Sequence, residues 1–241
     1  MTDDPTPRDA SPLRIGLLVF PGIQVLDLTG PYEVFGAVPD AVVSLLWKDC
    51  APVMSSGRLP FAPTATFAEG SPLDVLCVPG GIGVNRLLTD AEVLDFLRVT
   101  AARTPWLCSV CTGALLLGAA GLLKGRRATT HWNSHDFLPA FGAVPVDERV
   151  VRDGNLFTAA GVTSGIDLAL AVVGAVVGRE RAEEIQLALE YAPQPPFRSG
   201  TPDTAPAAVL AAAKARAAPS RREREAIIAR LARGSARASV G

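Results

Sequence analysis

Three short apolar runs, each stopped by a turn of small residues, restrict most of what this chain can become. Leu13 to Phe20 ends at Pro21-Gly22. Asp74-Val-Leu-Cys-Val78 ends at Pro79-Gly-Gly81. Trp106-Leu-Cys-Ser-Val110 runs into Cys111-Thr-Gly113. Runs this short and this uniformly apolar read as strands buried on both faces. Stretches with helical spacing lie between and after them. Leu28, Tyr32, Phe35 and Val38 share related faces of a helix starting near Asp27, and Val93, Leu94, Leu97 and Ala101 do so over 91–103. Thr163 to Val177 is almost wholly apolar and reads as a central helix. Strand alternating with helix predicts an α/β fold, a doubly wound and mostly parallel sheet flanked by helices. Function in such sheets gathers at the carboxyl ends of the strands. That directs attention to Asp27, Pro79-Gly-Gly81 and Cys111.

The remaining chain is read more coarsely. Val42–Trp47 reads as a further strand, and Ser55-Ser-Gly-Arg58 as a hairpin turn between Val53-Met54 and 59–62. Residues 1–12 read as a flexible leader, 13–192 as the α/β domain, and 193–241 as a Pro-rich extended segment followed by two Ala/Arg-rich helices. Those helices are expected to pack on the domain or on a partner subunit. Residues 214–241 carry eight Lys or Arg against two Asp or Glu, while the preceding chain is acidic. This basic end lacks aromatics for stacking bases and any known DNA-reading pattern, so nucleic acid is not the expected partner. No run reaches the roughly 18 apolar residues of a membrane span. The acidic, Pro-rich start does not resemble a signal peptide, and Cys50, Cys77, Cys108 and Cys111 do not resemble a disulfide framework. A cytoplasmic location is the expectation.

Cys111 is the leading candidate for chemistry. A thiol at a strand-to-helix turn faces helix N–H groups that favour the thiolate. The alternative is a small buried hydrophobe. Asp27, in Val25-Leu-Asp-Leu-Thr-Gly30, is either a helix N-cap or a desolvated carboxyl suited to proton transfer. Thr112 brings a hydroxyl beside the thiol. Gly80, Gly81 and Ile82 offer backbone N–H groups for a developing charge. Cys108 lies too early in its strand for a redox C-x-x-C. His131 and His135 lack the Glu of H-E-x-x-H and read as surface or capping residues. No metal site and no cofactor are expected.

These residues together resemble the ThiJ/PfpI superfamily, which shares the class I glutamine amidotransferase-like fold. The likeness rests on 17–21, 26–31, 75–81, Ser109-Val-Cys-Thr-Gly113, Ala128-Thr-Thr-His-Trp132 and Gly161-Val-Thr-Ser-Gly-Ile-Asp167. Within it the chain is most similar to the isonitrile (isocyanide) hydratase branch, through 126–132, Glu148-Arg-Val-Val-Arg-Asp-Gly154, 189–193 and Pro196-Phe197. The resemblance implies a nucleophilic Cys111 on a strained elbow, with Asp27 where most members carry Glu. It implies a homodimer acting on a small isonitrile and water, with a Cys111 thioimidate, Asp27 as general acid and base, and Thr112 positioning. Backbone groups near Gly81 and Val162 would hold developing charge, in an apolar pocket. Thr112 stands where protease- and glyoxalase-like members carry His. A glyoxalase-like enzyme, a redox sensor and a transcription-linked ligand sensor are the alternatives. About 40 residues follow Pro202, against roughly 100 for the DNA-binding module fused to some relatives.

Overall fold

The computed structural model describes residues 11–69 and 72–238; most of the expected leader lies outside them. Strand β1 (Arg14–Leu18) leads through α1 (Val25–Gly36) to β2 (Val42–Trp47). The expected hairpin follows as β3 (Val53–Met54) against β4 (Pro60–Phe61), then β5 (Ala65–Thr66) and β6 (Val75–Val78). Helices α2 (Val84–Leu87) and α3 (Ala91–Ala101) precede β7 (Trp106–Val110), and α4 (Gly113–Ala119) leaves it. Next come β8 (Arg127–Ala128), a 3-10 segment (Trp132–Phe141) and β9 (Val144–Pro145). Strands β10 (Val150–Asp153) and β11 (Leu156–Ala159) return to the sheet, and α5 (Ser164–Val176), α6 (Arg179–Ala188) and α7 (Ala207–Ala238) end the chain.

The main sheet has seven strands in the order β10-β11-β7-β6-β1-β2-β5. Its strands pair parallel, except that β10 runs antiparallel to β11. Ile15, Leu17, Val75, Leu76, Cys77 and Cys108 are fully buried. This is why those strands read as unbroken apolar runs: helices cover both faces. Helix α1 packs with α5, and α4 packs with α2, α3 and the two central strands β6 and β7.

The winding reverses at β1, which pairs with β2 on one side and β6 on the other. The loops leaving β1 and β6 therefore meet at the top of the sheet, where such folds form their crevice. They are joined by a bridge between Ile23 and Gly81 and by the Gln24 N–H donating to Gly80 O at 2.9 Å. Gly81 takes φ 138, and a Cβ there would lie 2.5 Å from both Gln24 N and Gly22 O. Only glycine lets the two loops approach this closely.

The C-terminal region departs from expectation. One continuous helix of 32 residues, α7, stands where two were expected, with Pro219 inside it. A proline inside a helix removes one donor and costs about 3 kcal/mol. The Ala-rich flanks and the docking of α7 on the 3-10 segment and α2 offset this. Arg221 makes two hydrogen bonds to Asp136, at 3.0 and 2.6 Å, and stacks over the Phe137 ring, while Ile227 and Ile228 are buried.

Candidate active site

Cys111 sits between β7 and α4 with φ 55, a left-handed conformation unusual for a residue with a side chain. Its backbone is held on both sides. The Cys111 N–H donates to Ala159 O at 3.0 Å, and the Thr130 hydroxyl donates to Cys111 O at 2.7 Å. Such fixed partners allow a strained residue to persist. Cys111 is 6% exposed and lines a cavity of about 950 Å³.

Asp27 lies in the first turn of α1 and is 0% exposed. It is not a helix cap: Gln24 holds that position, without a side-chain bond. Instead Asp27 Oδ2 accepts the Gly80 N–H at 3.0 Å, across the crevice. Its other oxygen, Oδ1, is buried without a hydrogen-bond partner. Burial raises the carboxyl to about 7, against the opposing pull of the Gly80 amide and the Cys111 thiol. A neutral carboxyl relieves the isolated oxygen, and a value near 7 suits proton transfer in both directions.

The same surroundings push the Cys111 thiol well above its ordinary range. Burial is the main cause and the Asp27 charge adds to it, while the Thr112 amide and Arg224 act the other way. The thiolate that the helix start favours is thus opposed by burial and by Asp27. Desolvation and Asp27 outweigh one amide and a helix of seven residues. Cys77 and Cys108 are completely buried, and their thiols are also raised by burial. All four cysteines are unbridged.

The other expected residues converge on this point, with altered tasks. The Thr112 hydroxyl accepts the Gly81 N–H at 3.1 Å and faces Gly81 O at 3.4 Å, so it ties the β6 loop to the elbow. A Cβ on Gly80 would lie 2.6 Å from Thr112 N and 2.8 Å from Asp27 Oδ2; glycine is what lets elbow and carboxyl meet there. The Gly80 and Gly81 amides are thus engaged with Asp27 and Thr112. Ile82, 57% exposed, and Val162 line the cavity.

His131 caps the 3-10 segment, its Nδ1 accepting the Asn133 N–H at 3.2 Å. The ring proton therefore sits on Nε2. Burial, reinforced by Arg224, lowers the imidazole to about 4, so it is neutral. His135 Nε2 bonds Val146 O at 3.0 Å and stays apart from the site. Among the described residues no cluster of His, Cys, Asp or Glu is arranged to hold a metal ion.

One wall was not anticipated. Helix α7 contributes Val209, Arg216, Ser220 and Arg224 to the cavity. The expected apolar lining continues on this wall through Val209, Ala212, Ala213 and Ala217, with Arg216, Ser220 and Arg224 set among them. A faint signal existed. Arg224 falls on the same helical stripe as Ile227, Ile228 and Leu231, so it belongs to the docked face.

A profile of the DJ-1/PfpI family matches residues 13–175. The chain belongs to the DJ-1/PfpI family. It is 57% identical over 220 residues to the isonitrile hydratase of Pseudomonas putida, covering 91% of this chain and 96% of that protein. A crystal structure of a ThiJ/PfpI family protein from Pseudomonas syringae superposes with TM-score 0.87 at 43% identity, over 90% of this chain and 91% of the other. A DJ-1 superfamily protein from Salmonella typhimurium superposes with TM-score 0.68 at 26% identity, over 76% and 100%. The DJ-1/PfpI match contains Cys111, Asp27 and Thr112 and stops short of α7. The wall carrying Arg224 therefore lies beyond the residues matched by the family profile.

Proposed function

We propose that this protein is an isonitrile hydratase, a hydro-lyase that converts R–NC and water into the N-substituted formamide. The observation that carries the reading is a buried carboxyl near pKa 7 set against a thiol on a strained elbow. The 57% identity to the Pseudomonas putida hydratase, over nearly the whole of both chains, supports the substrate class.

The proton inventory suits the reaction. Asp27 takes the thiol proton as Cys111 Sγ adds to the terminal isonitrile carbon, and it returns that proton to the same carbon. The product is a thioimidate, R–N=CH–S–Cys111. Water then adds to the thioimidate carbon as Asp27 accepts its proton. The proton passes to nitrogen and the carbon–sulfur bond breaks, which leaves R–NH–CHO and the restored thiol. The raised thiol value fits this order, because the proton leaves sulfur only as the new bond forms. Thr112 positions the β6 loop through Gly81, and the Ile82 and Val162 amides are the remaining backbone candidates beside the cavity. No cofactor enters the scheme. A cytoplasmic location accords with the unbridged cysteines, and a homodimer rests on family resemblance.

The test is formamide production from a small aryl isonitrile, followed by ultraviolet absorbance. Wild type should turn over, and a folded Cys111→Ala should fall to background. Turnover by Cys111→Ala would rule out the covalent route; a reactive Cys111 without wild-type turnover would rule out the hydratase reading.

A further inference from the structure

We propose that the isonitrile substrate carries a carboxylate and that Arg224, which lines the same cavity as Cys111, is the residue that binds it. The isonitrile part rests on the hydratase reading above. The anion site stands on separate observations.

Arg224 is 6% exposed. Its Nε donates to Asn85 Oδ1 at 2.9 Å and its Nη1 to Ser134 Oγ at 2.7 Å. Both acceptors are neutral, and they are themselves buried at 1% and 0% exposure. Among the described residues no carboxylate forms an ion pair with Arg224. Glu223, its neighbour in sequence, accepts from Asn85 Nδ2 at 2.7 Å instead. Asn85 is further anchored by donating to Ser220 O at 3.0 Å. The guanidinium is thus placed by a built network, and the Glu223 carboxylate attracts it only at a distance, its own hydrogen bond going to Asn85.

Buried charges are normally paired, because an unpaired one loses its hydration without recompense. The cavity supplies no pairing group. Its lining includes Arg216, Arg224 and His131 and no Asp or Glu. Asp27, the acid of the site, is fully buried on the Gly80 amide and is not among the lining residues. Burial and Asp27 also work against a thiolate at Cys111 that would fill the role. A permanent cation facing a cavity calls for an anion that arrives with the ligand. The planar guanidinium fork favours a carboxylate, which it binds through two parallel hydrogen bonds. Arg216, eight residues earlier and two turns away on the same helix, adds to the attraction at the mouth.

The binding test needs no turnover. Alkylation of Cys111 by iodoacetamide is followed by peptide mass spectrometry, with acetate or acetamide as protectant. Acetate should slow alkylation of wild type and acetamide at equal concentration should not; equal protection by the two, or none from acetate, overturns the anion site. In Arg224→Gln the acetate effect should fall by about tenfold, the loss of one charge-assisted pairing. Arg224→Lys should keep part of it, and the wild-type contrast decides should the glutamine variant not fold. For turnover, isocyanoacetate is compared with its methyl ester. The acid should be favoured about tenfold in kcat/KM, through KM, and Arg224→Gln should erase the preference. A wild-type preference for the ester overturns the assignment of the substrate. Protection by acetate with no turnover of either compound upholds the anion site and rejects the hydratase reading.

Discussion

Asp27 does two things that usually conflict. It must be buried deeply enough to hold a proton near neutrality, and it must remain beside the atom that gives or takes that proton. The structure meets both needs by fixing one oxygen on the Gly80 amide, leaving the other buried without a hydrogen-bond partner, and keeping the carboxyl within reach of the thiol. Asparagine retains a carbonyl oxygen for the Gly80 amide and has no acidic proton. Asp27→Asn should therefore keep the fold and lose about 10² to 10⁴ in kcat, the usual range for a general acid–base. Formamide production at pH 7 measures it. A rate within a few-fold of wild type would remove Asp27 from the chemistry. Cys111 shows a related economy: its left-handed φ of 55 is held by Ala159 O and the Thr130 hydroxyl, both far from it in sequence.

At the level of elements, legibility followed locality. The buried strands were readable because each is a continuous apolar run stopped by its own turn residues. The elbow was readable because Val110, Cys111, Thr112 and Gly113 are consecutive. Gly80 was singled out as a backbone donor, but its N–H serves Asp27, a pairing over 53 residues that no local pattern announces. Helix α7 was hardest. Two helices were expected where docking holds one whole, and Arg224 reaches the site from 113 residues beyond Cys111. The docking combines polar ties through Arg221 and Arg224 with an apolar contact that includes Ile228, 5% exposed. Ile228→Ala should remove about 2 to 4 kcal/mol from that contact. Hydrogen exchange should show it as faster exchange confined to α7, with the amides of β1, β6 and β7 unchanged. Equal acceleration throughout the sheet would mean that α7 and the core unfold as one unit.

Across the whole molecule, two buried groups oppose one another in how stability depends on pH. Asp27 rises from 3.8 in the unfolded chain to about 7 in the fold, so the native state binds the extra proton between those values. Its contribution is fully present below pH 4 and lost as pH climbs to 7, an amount of about 4 kcal/mol. His131 falls from 6.5 to about 4, so its contribution is present above 6.5 and lost as pH drops toward 4, about 3 kcal/mol. The windows overlap and the signs are opposite. From these two groups the wild type should show little net slope between pH 4.5 and 6.5. Each single variant should then expose its partner. In Asp27→Asn, urea stability should rise by a few kcal/mol from pH 4.5 to 6.5, because only His131 still titrates. In His131→Gln it should fall over the same range, because only Asp27 does. Carboxylates held low by partners, Asp136 by Arg221 and Asp153 by the Arg127 amide, lose their contributions in more acidic solution and set the acid limit in every variant. Parallel curves for wild type and both variants would show that neither group keeps its shifted value in the folded protein. The proton chemistry assigned to Asp27 would then lose its physical basis.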